Sequence, residues 1–435
     1  MKVLSSKSRR HAAGLVMTAL SAVAISAQAE IPGLSGTSFA LQAGTASIAT
    51  PDGDSLQIWG YGNGGTPQYP GPTLIVEQGQ EITIKLTNTV PMPVSMVFPG
   101  QTGVMASGGT CPTVSDCLIT RESTGSTDVV VYTFTPTHAG TYMYHSGTSP
   151  ELQTEMGLFG AIIVRPAAAN QAYGHPATAY DHEYLFMLSE MDPQIHYQAE
   201  FLGLYDSAAL TSIDFTDYRP QLWFLNGRNG PDTFGPNDAP WMPHQPYNSL
   251  PRTRPGEQVL MRVMGASHHL HPFHTHGNNV RIIARDGRLL TTTPFDHSES
   301  GAGPDLARSD FTIKTAPMQT YDALWDWTGK GLGWDIYGHA PGDPMQPGEY
   351  APDHGKPIPV ILPELQDLTF GGFYSGSPFL GASAGLPPGE GGLNLNGGLY
   401  FMWHSHTEKE LVNNDIFPGG RMTMMVVEPP GTPIP

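Results

Sequence analysis

The same rhythm occurs twice along this chain, and it restricts the fold to a repeated β-unit. Gly71-Pro-Thr-Leu-Ile-Val-Glu-Gln-Gly79 leads into a segment ending at Asn88 in which apolar and polar residues alternate, as on a half-buried strand. Leu250-Pro-Arg-Thr-Arg-Pro-Gly256 leads in the same way into the alternating segment that ends at Gly265. The closing segments also match: Gly140-Thr-Tyr-Met-Tyr-His145 and then 157–164 parallels Gly398-Leu-Tyr-Phe-Met-Trp-His404 and then 420–427. A unit repeated once at this length is a duplicated sandwich, not a short-period solenoid. The 51 glycines and 41 prolines, about a fifth of 435 residues, supply the turns between many short strands and argue against a helical bundle.

The expected organisation is a leader over 1–29, a first unit over 30–166, a linker over 167–180 and a second unit over 181–435. The leader has a basic start (Lys2, Lys7, Arg9, Arg10), an apolar stretch from Ala12 to Ile25 and a small-x-small end at Ala27-Gln-Ala29. It predicts export to the periplasm or the exterior, with no membrane span once the leader is removed. Two long loop-like stretches, Asn229–Gln245 and Ala340–Leu393, decorate the second unit and suit a site cover or a subunit contact. The net charge of −18 excludes nucleic acid as a partner, because such a surface repels phosphate. Cys111 and Cys117 are the sole cysteines, and in an oxidising compartment they predict a local disulfide; a two-cysteine metal site would need a histidine close by, and none is there.

The chemical signal lies in His268-His-Leu-His271-Pro-Phe-His274-Thr-His276-Gly277, which holds five of the seventeen histidines. On an extended strand His274 and His276 point the same way, as metal ligands must. His404-Ser405-His406 repeats the pair on a late strand, and His145 holds the equivalent place in the first unit. Two His-x-His pairs in one unit point to a bound metal. His138, His182, His339 and His354 read as ordinary packed or surface histidines. Met422, Met424 and Met425 read as core. Trp325, Trp327, Trp334 and Tyr337 would line a pocket or fill the seam between units.

The sequence resembles the multicopper oxidases built from cupredoxin domains. The resemblance rests on the Gly71-Pro-Thr-Leu opening, Asn226-Gly-Arg228, His271-Pro-Phe-His274-Thr-His276-Gly277, Ile282-Ile-Ala-Arg-Asp286-Gly287 and Trp403-His404-Ser405-His406. It implies an all-β fold of two cupredoxin-like Greek-key sandwiches with long loops, like a two-domain member of the family. It further implies that His274 is a type 2 copper ligand, that His276, His404, His406 and His145 are type 3 ligands, and that His271 is a leftover blue-copper ligand. In two-domain relatives the cluster lies between neighbouring chains, which implies a homo-oligomer with His145 donated across the seam.

The departures are as informative. The family places a cysteine between the two late histidines, where this chain has Ser405, and a histidine four residues on, where it has Glu410. A hydroxyl cannot replace a soft thiolate in a blue-copper site. The first-unit motif falls near Val97-Phe-Pro-Gly-Gln101 with neither histidine, and Gly147 stands where a partner of His145 belongs. The expectation is therefore an exported copper-dependent oxidoreductase with a reduced type 2/type 3-like histidine site, taking electrons from a small molecule or a metal ion. The alternative is a non-catalytic copper storage, delivery or tolerance protein. A zinc hydrolase, with Glu408 or Asp286 as base, ranks third. Glu408 and Glu410 are expected as added oxygen ligands or as exposed loop charges, and zinc is the competing metal.

Overall fold

The computed structural model describes residues 31–111, 120–266, 268–293, 301–362, 377–381 and 394–435. The expected leader, Cys117 and parts of the Ala340–Leu393 loop lie outside these residues.

Among the described residues four sheets are formed, two on either side of the 166–181 connection, and none of them mixes strands from both sides. Before it, a six-stranded sheet centred on Ser38–Ala49 and Ile82–Asn88 faces a four-stranded sheet that ends in Phe159–Arg165 and Gly140–His145. After it, a sheet centred on Val259–Gly265 and Thr320–Trp325 faces a five-stranded sheet ordered Arg252–Thr253, Met422–Val427, Leu399–Ser405, His271–Thr275, Thr312–Thr315. The pairings repeat as the sequence does. Ser38–Ala49 runs parallel to Ile82–Asn88, as His182–Met191 does to Val259–Gly265. Each unit closes on an antiparallel pair, with His145 opposite Phe159 in one and His404 opposite Met422 in the other.

Alternation explains the layers. Ile82, Ile84, Leu86 and Asn88 are buried while Lys85 is exposed, so one face of that strand enters a core with Phe39, Leu74 and Tyr132. The second unit has its own core around Phe186, Val263, Phe273 and Trp403. Trp325 and Trp327 belong to that core, so they line neither a pocket nor the seam. Met425 joins the same core, and Met422 and Met424 pack with Leu250 and Phe234. Two α-helices were not foreseen in an all-β chain, the short Pro150–Glu155 and the longer Pro193–Tyr205. Asp192 caps the longer one by accepting from the Gln194 N–H at 2.9 Å, and Pro193 sits at its first position. That Asp-Pro start was the available signal.

The two units share a third apolar cluster, in which Ile48, Tyr69 and Phe159 of the first meet Met187, Phe224 and Met264 of the second. The Tyr69 ring stacks edge-on between Phe159 and Phe224, and its hydroxyl donates to Ser189 Oγ at 2.8 Å. Beside it lies a buried polar knot. Asp322 accepts from the hydroxyls of Thr141 and Tyr173, and Arg262 lies 3.0 Å from both Thr141 Oγ1 and Glu183 Oε2. Arg262 and Asp322 are about 1% exposed, so neither can turn to water if the other is lost. Asp322→Ala should therefore cost about 3–5 kcal/mol, by the rule for halving a buried ion pair. Denaturant midpoints check it, and Asp322→Asn, whose single amide oxygen still accepts from one of the two hydroxyls, should cost less.

Candidate metal centre

The ladder between His271–Thr275 and Leu399–Ser405 sets His274 opposite His404, Phe273 opposite Ser405 and Thr275 opposite Trp403. Since side chains alternate, Phe273, Thr275, Trp403 and Ser405 go inward, and His274, His276, His404 and His406 share the other face. Ring centroids are 4.9 Å apart for His274–His276, 5.2 Å for His276–His404 and 5.5 Å for His274–His404. One nitrogen from each of these three imidazoles lies within 4.8 Å of the others. His406 is exposed and sets its ring 4.7 Å from that of His274, outside this three-nitrogen group.

Neighbours orient the rings. His404 Nδ1 lies 2.7 Å from the Ser405 carbonyl, which can only accept, so this nitrogen carries the proton and Nε2 turns its lone pair to His276 Nε2, 3.3 Å away. His274 Nδ1 is held by Thr312 Oγ1 at 2.9 Å. Burial, and then repulsion from neighbouring imidazoles, lowers the pKa of all three rings, which favours the neutral ligand form. Imidazoles bound at about 2.0 Å to one ion have nitrogens about 3 Å apart, so the donor set fits a transition metal with a solvent-facing position left open.

His271 does not join this group. It stands on the inward parity of its strand, fully buried, with Nδ1 2.9 Å from Glu410 Oε1 and Nε2 3.0 Å from Glu190 Oε2. Both nitrogens face carboxylates, on the opposite side of the strand from the three converging imidazoles. Glu410, expected in an exposed loop or as an oxygen ligand, is instead buried and pairs with Arg421 Nη1 at 2.5 Å. Burial opposes its ionisation, but Arg421 and His271 outweigh that and bring Glu410 down to about 2. Arg421 is itself fully buried and also donates to the Phe224 carbonyl at 3.1 Å. Glu190 is likewise lowered, burial being outweighed by His271, and accepts from the His269 N–H at 2.9 Å. Ser405, at the position of the absent cysteine, is fully buried beside this chain of charges.

His145 lies in the first unit, on a sheet that holds neither His-x-His pair. Its Nδ1 meets the Ser146 carbonyl at 2.9 Å, and burial lowers its pKa. Glu408 is exposed, and Asp286 pairs at the surface with Arg285 at 3.3 Å. His182 is packed against Glu257 at 2.8 Å, as an ordinary histidine. His339 and His354 do not fit that description: with Asp335 and Glu349 they form a second convergent group. Sequence reasoning passed over it because its ligands lie in a turn-rich stretch without strand periodicity.

Residues 44–169 match the family model described as multicopper oxidase. An L-ascorbate oxidase from Cucurbita pepo var. melopepo is 31% identical over 164 residues, 37% of this chain and 26% of that protein. Copper resistance protein A from Escherichia coli is 34% identical over 128 residues, 29% of this chain and 18% of that protein. The match thus spans about a quarter or less of the length of these curated relatives. Among solved structures, the blue copper oxidase from Nitrosomonas europaea superposes with a TM-score of 0.54 at 17% identity, over 90% of this chain and 86% of that one. The multicopper oxidase mgLAC gives 0.53 at 16% identity, over 92% and 88%. At these identities the likeness is one of fold, a pair of cupredoxin-like sandwiches.

Two predictions follow from this geometry. His274→Ala and His404→Ala should each remove most bound copper, whereas His182→Ala should leave it intact, as metal analysis after dialysis would show. Glu410 stabilises the fold above its unfolded pKa of 4.5, and that contribution fades as pH falls towards 2. Glu410→Gln should therefore flatten the stability–pH curve between these limits and lower stability at pH 7 by about 3 kcal/mol, measured by urea unfolding.

Proposed function

From its place in the multicopper oxidase family, we propose that this chain is an exported copper-dependent oxidoreductase whose redox centre is the His274–His276–His404 group, without a type 1 copper. The convergence of three imidazole nitrogens on an open sheet face carries the reading. When bound, copper supplies one-electron chemistry there. His404 and His274 are pre-oriented by Ser405 and Thr312, and His276 and His406 reach solvent. A small reductant, organic or a metal ion, can therefore meet the centre directly, and Phe311 offers it an exposed apolar edge 5.6 Å from His274.

The loss of type 1 copper is supported from both sides of the missing thiolate. Ser405 supplies no soft ligand, and His271 has both ring nitrogens engaged by Glu190 and Glu410. The electron relay of a blue centre has been replaced by a charge network that holds the sheet together. Export, a Cys111–Cys117 disulfide and a homo-oligomer belong to the same proposal. The first unit of a neighbouring copy would bring His145 to the open face, since three ligands leave room for it.

A second reading, copper storage or tolerance without turnover, is favoured by the exposure of His276 and His406. Oxygen uptake by copper-loaded protein with phenolic, ascorbate-like and metal-ion reductants separates the two. We expect uptake that His404→Ala abolishes, in protein that binds copper and gives no intense thiolate-to-copper band. A strong blue absorption would overturn the assignment of the centre, and full copper occupancy with no turnover on any reductant would favour storage.

A further inference from the structure

The second convergent group lies in the long insertion between strands Thr320–Trp325 and Leu399–Ser405, and it shares no residue with the histidine face. Asp335, His339, Glu349 and His354 each bring one ligand atom to within 4.8 Å of the others. His339 Nδ1 is 3.0 Å from Asp335 Oδ2 and 3.5 Å from Glu349 Oε1. His354 Nδ1 is 3.6 Å and 2.7 Å from the same two oxygens. A tetrahedral ion with bonds of about 2.0–2.1 Å sets its ligands about 3.3 Å apart, in the middle of this range.

Charge calls for a cation at the centre. The Asp335 and Glu349 side chains are 0% and 3% exposed, and among the described residues neither pairs with a lysine or arginine. The nearby Lys356 is taken by Asp353 at 3.1 Å. Two adjacent buried carboxylates need about two positive charges. The outer contacts point the ligands inward. His354 Nε2 meets the Asp343 carbonyl at 2.9 Å and so carries its proton, which in the neutral ring turns the Nδ1 lone pair towards Glu349. Asp335 is held by the N–H groups of Tyr337 and Gly355, at 2.8 and 2.7 Å, and the other oxygen of Glu349 by the Gln346 N–H at 2.8 Å.

We propose that Asp335, His339, Glu349 and His354 form a structural site for a divalent transition ion, Zn(II) by its chemistry, that staples the insertion of the second unit. Two imidazoles and two carboxylates make a borderline tetrahedral set: too few oxygens for calcium, with no soft sulfur for Cu(I). All four positions are filled by protein, which marks a structural site and not a catalytic one. The stretch 335–354 contains no strand, only the short turn Ala351–Asp353, so a metal cross-link does there what sheet pairing does elsewhere.

The test uses the full chain, stripped with chelator and re-equilibrated with zinc, in wild type, His274→Ala/His404→Ala and His339→Ala/His354→Ala forms. The His274→Ala/His404→Ala protein, which keeps only one of the three converging imidazoles, should still retain one equivalent of zinc. The His339→Ala/His354→Ala protein should lose that equivalent, and should still bind copper when copper is supplied in place of zinc. Loading the first variant with Co(II) should give the visible bands of a tetrahedral ion, and zinc should slow proteolysis within 329–362. If the His274→Ala/His404→Ala protein takes up no zinc, protons alone balance the two carboxylates and the proposal falls. That measurement leaves the second group intact, so it decides even if the His339→Ala/His354→Ala variant misfolds.

Discussion

The pairing of His274 with His404 across two neighbouring strands governs both faces of the five-stranded sheet. Because side chains alternate strictly, this one register sends four imidazoles to one side and Phe273, Trp403 and Ser405 to the other. A slip by one residue would exchange the sets, burying the metal face and exposing the core. The packing of Trp403 against Phe186 and Trp325 therefore fixes the imidazole geometry from beneath, and its indole N–H also donates to the His276 carbonyl at 3.2 Å. Ligand placement and core packing are two outcomes of one constraint.

Under that sheet, Glu190, His271, Glu410 and Arg421 form a chain of buried charges. Such a chain adds little net stability over an apolar filling of the same volume, but losing any one member is costly. It binds together strand His182–Met191, strand His271–Thr275, the turn at Glu408–Leu411 and the lead-in to Met422–Val427. This ionic network fixes these elements from beneath, and the histidine pairs occupy the outward face of the same sheet.

The seam and the insertion meet the same problem by different means. Where apolar residues are plentiful, Tyr69, Phe159 and Phe224 interlock and the Asp322 knot satisfies the buried polar groups beside them. The insertion is rich in glycine and proline, and among its described residues backbone N–H groups donate to a few carboxylates, among them Asp335 and Glu349.

The sequence by itself determined the duplicated β-units, through alternation after Gly79 and Gly256, and the two His-x-His pairs, because period-two spacing is local information. It also identified the missing thiolate at Ser405. Strand parity could have set His271 apart from His274 and His276, since three residues separate it from the first and five from the second. Only the tertiary structure decided where His271 points, that Glu410 is buried against Arg421, and that Asp335, His339, Glu349 and His354 meet. The first two depend on which strands become neighbours, and the third on how a turn-rich loop closes upon itself. Such contacts join residues far apart in sequence or lacking any period, so they arise from packing and leave no mark in local spacing.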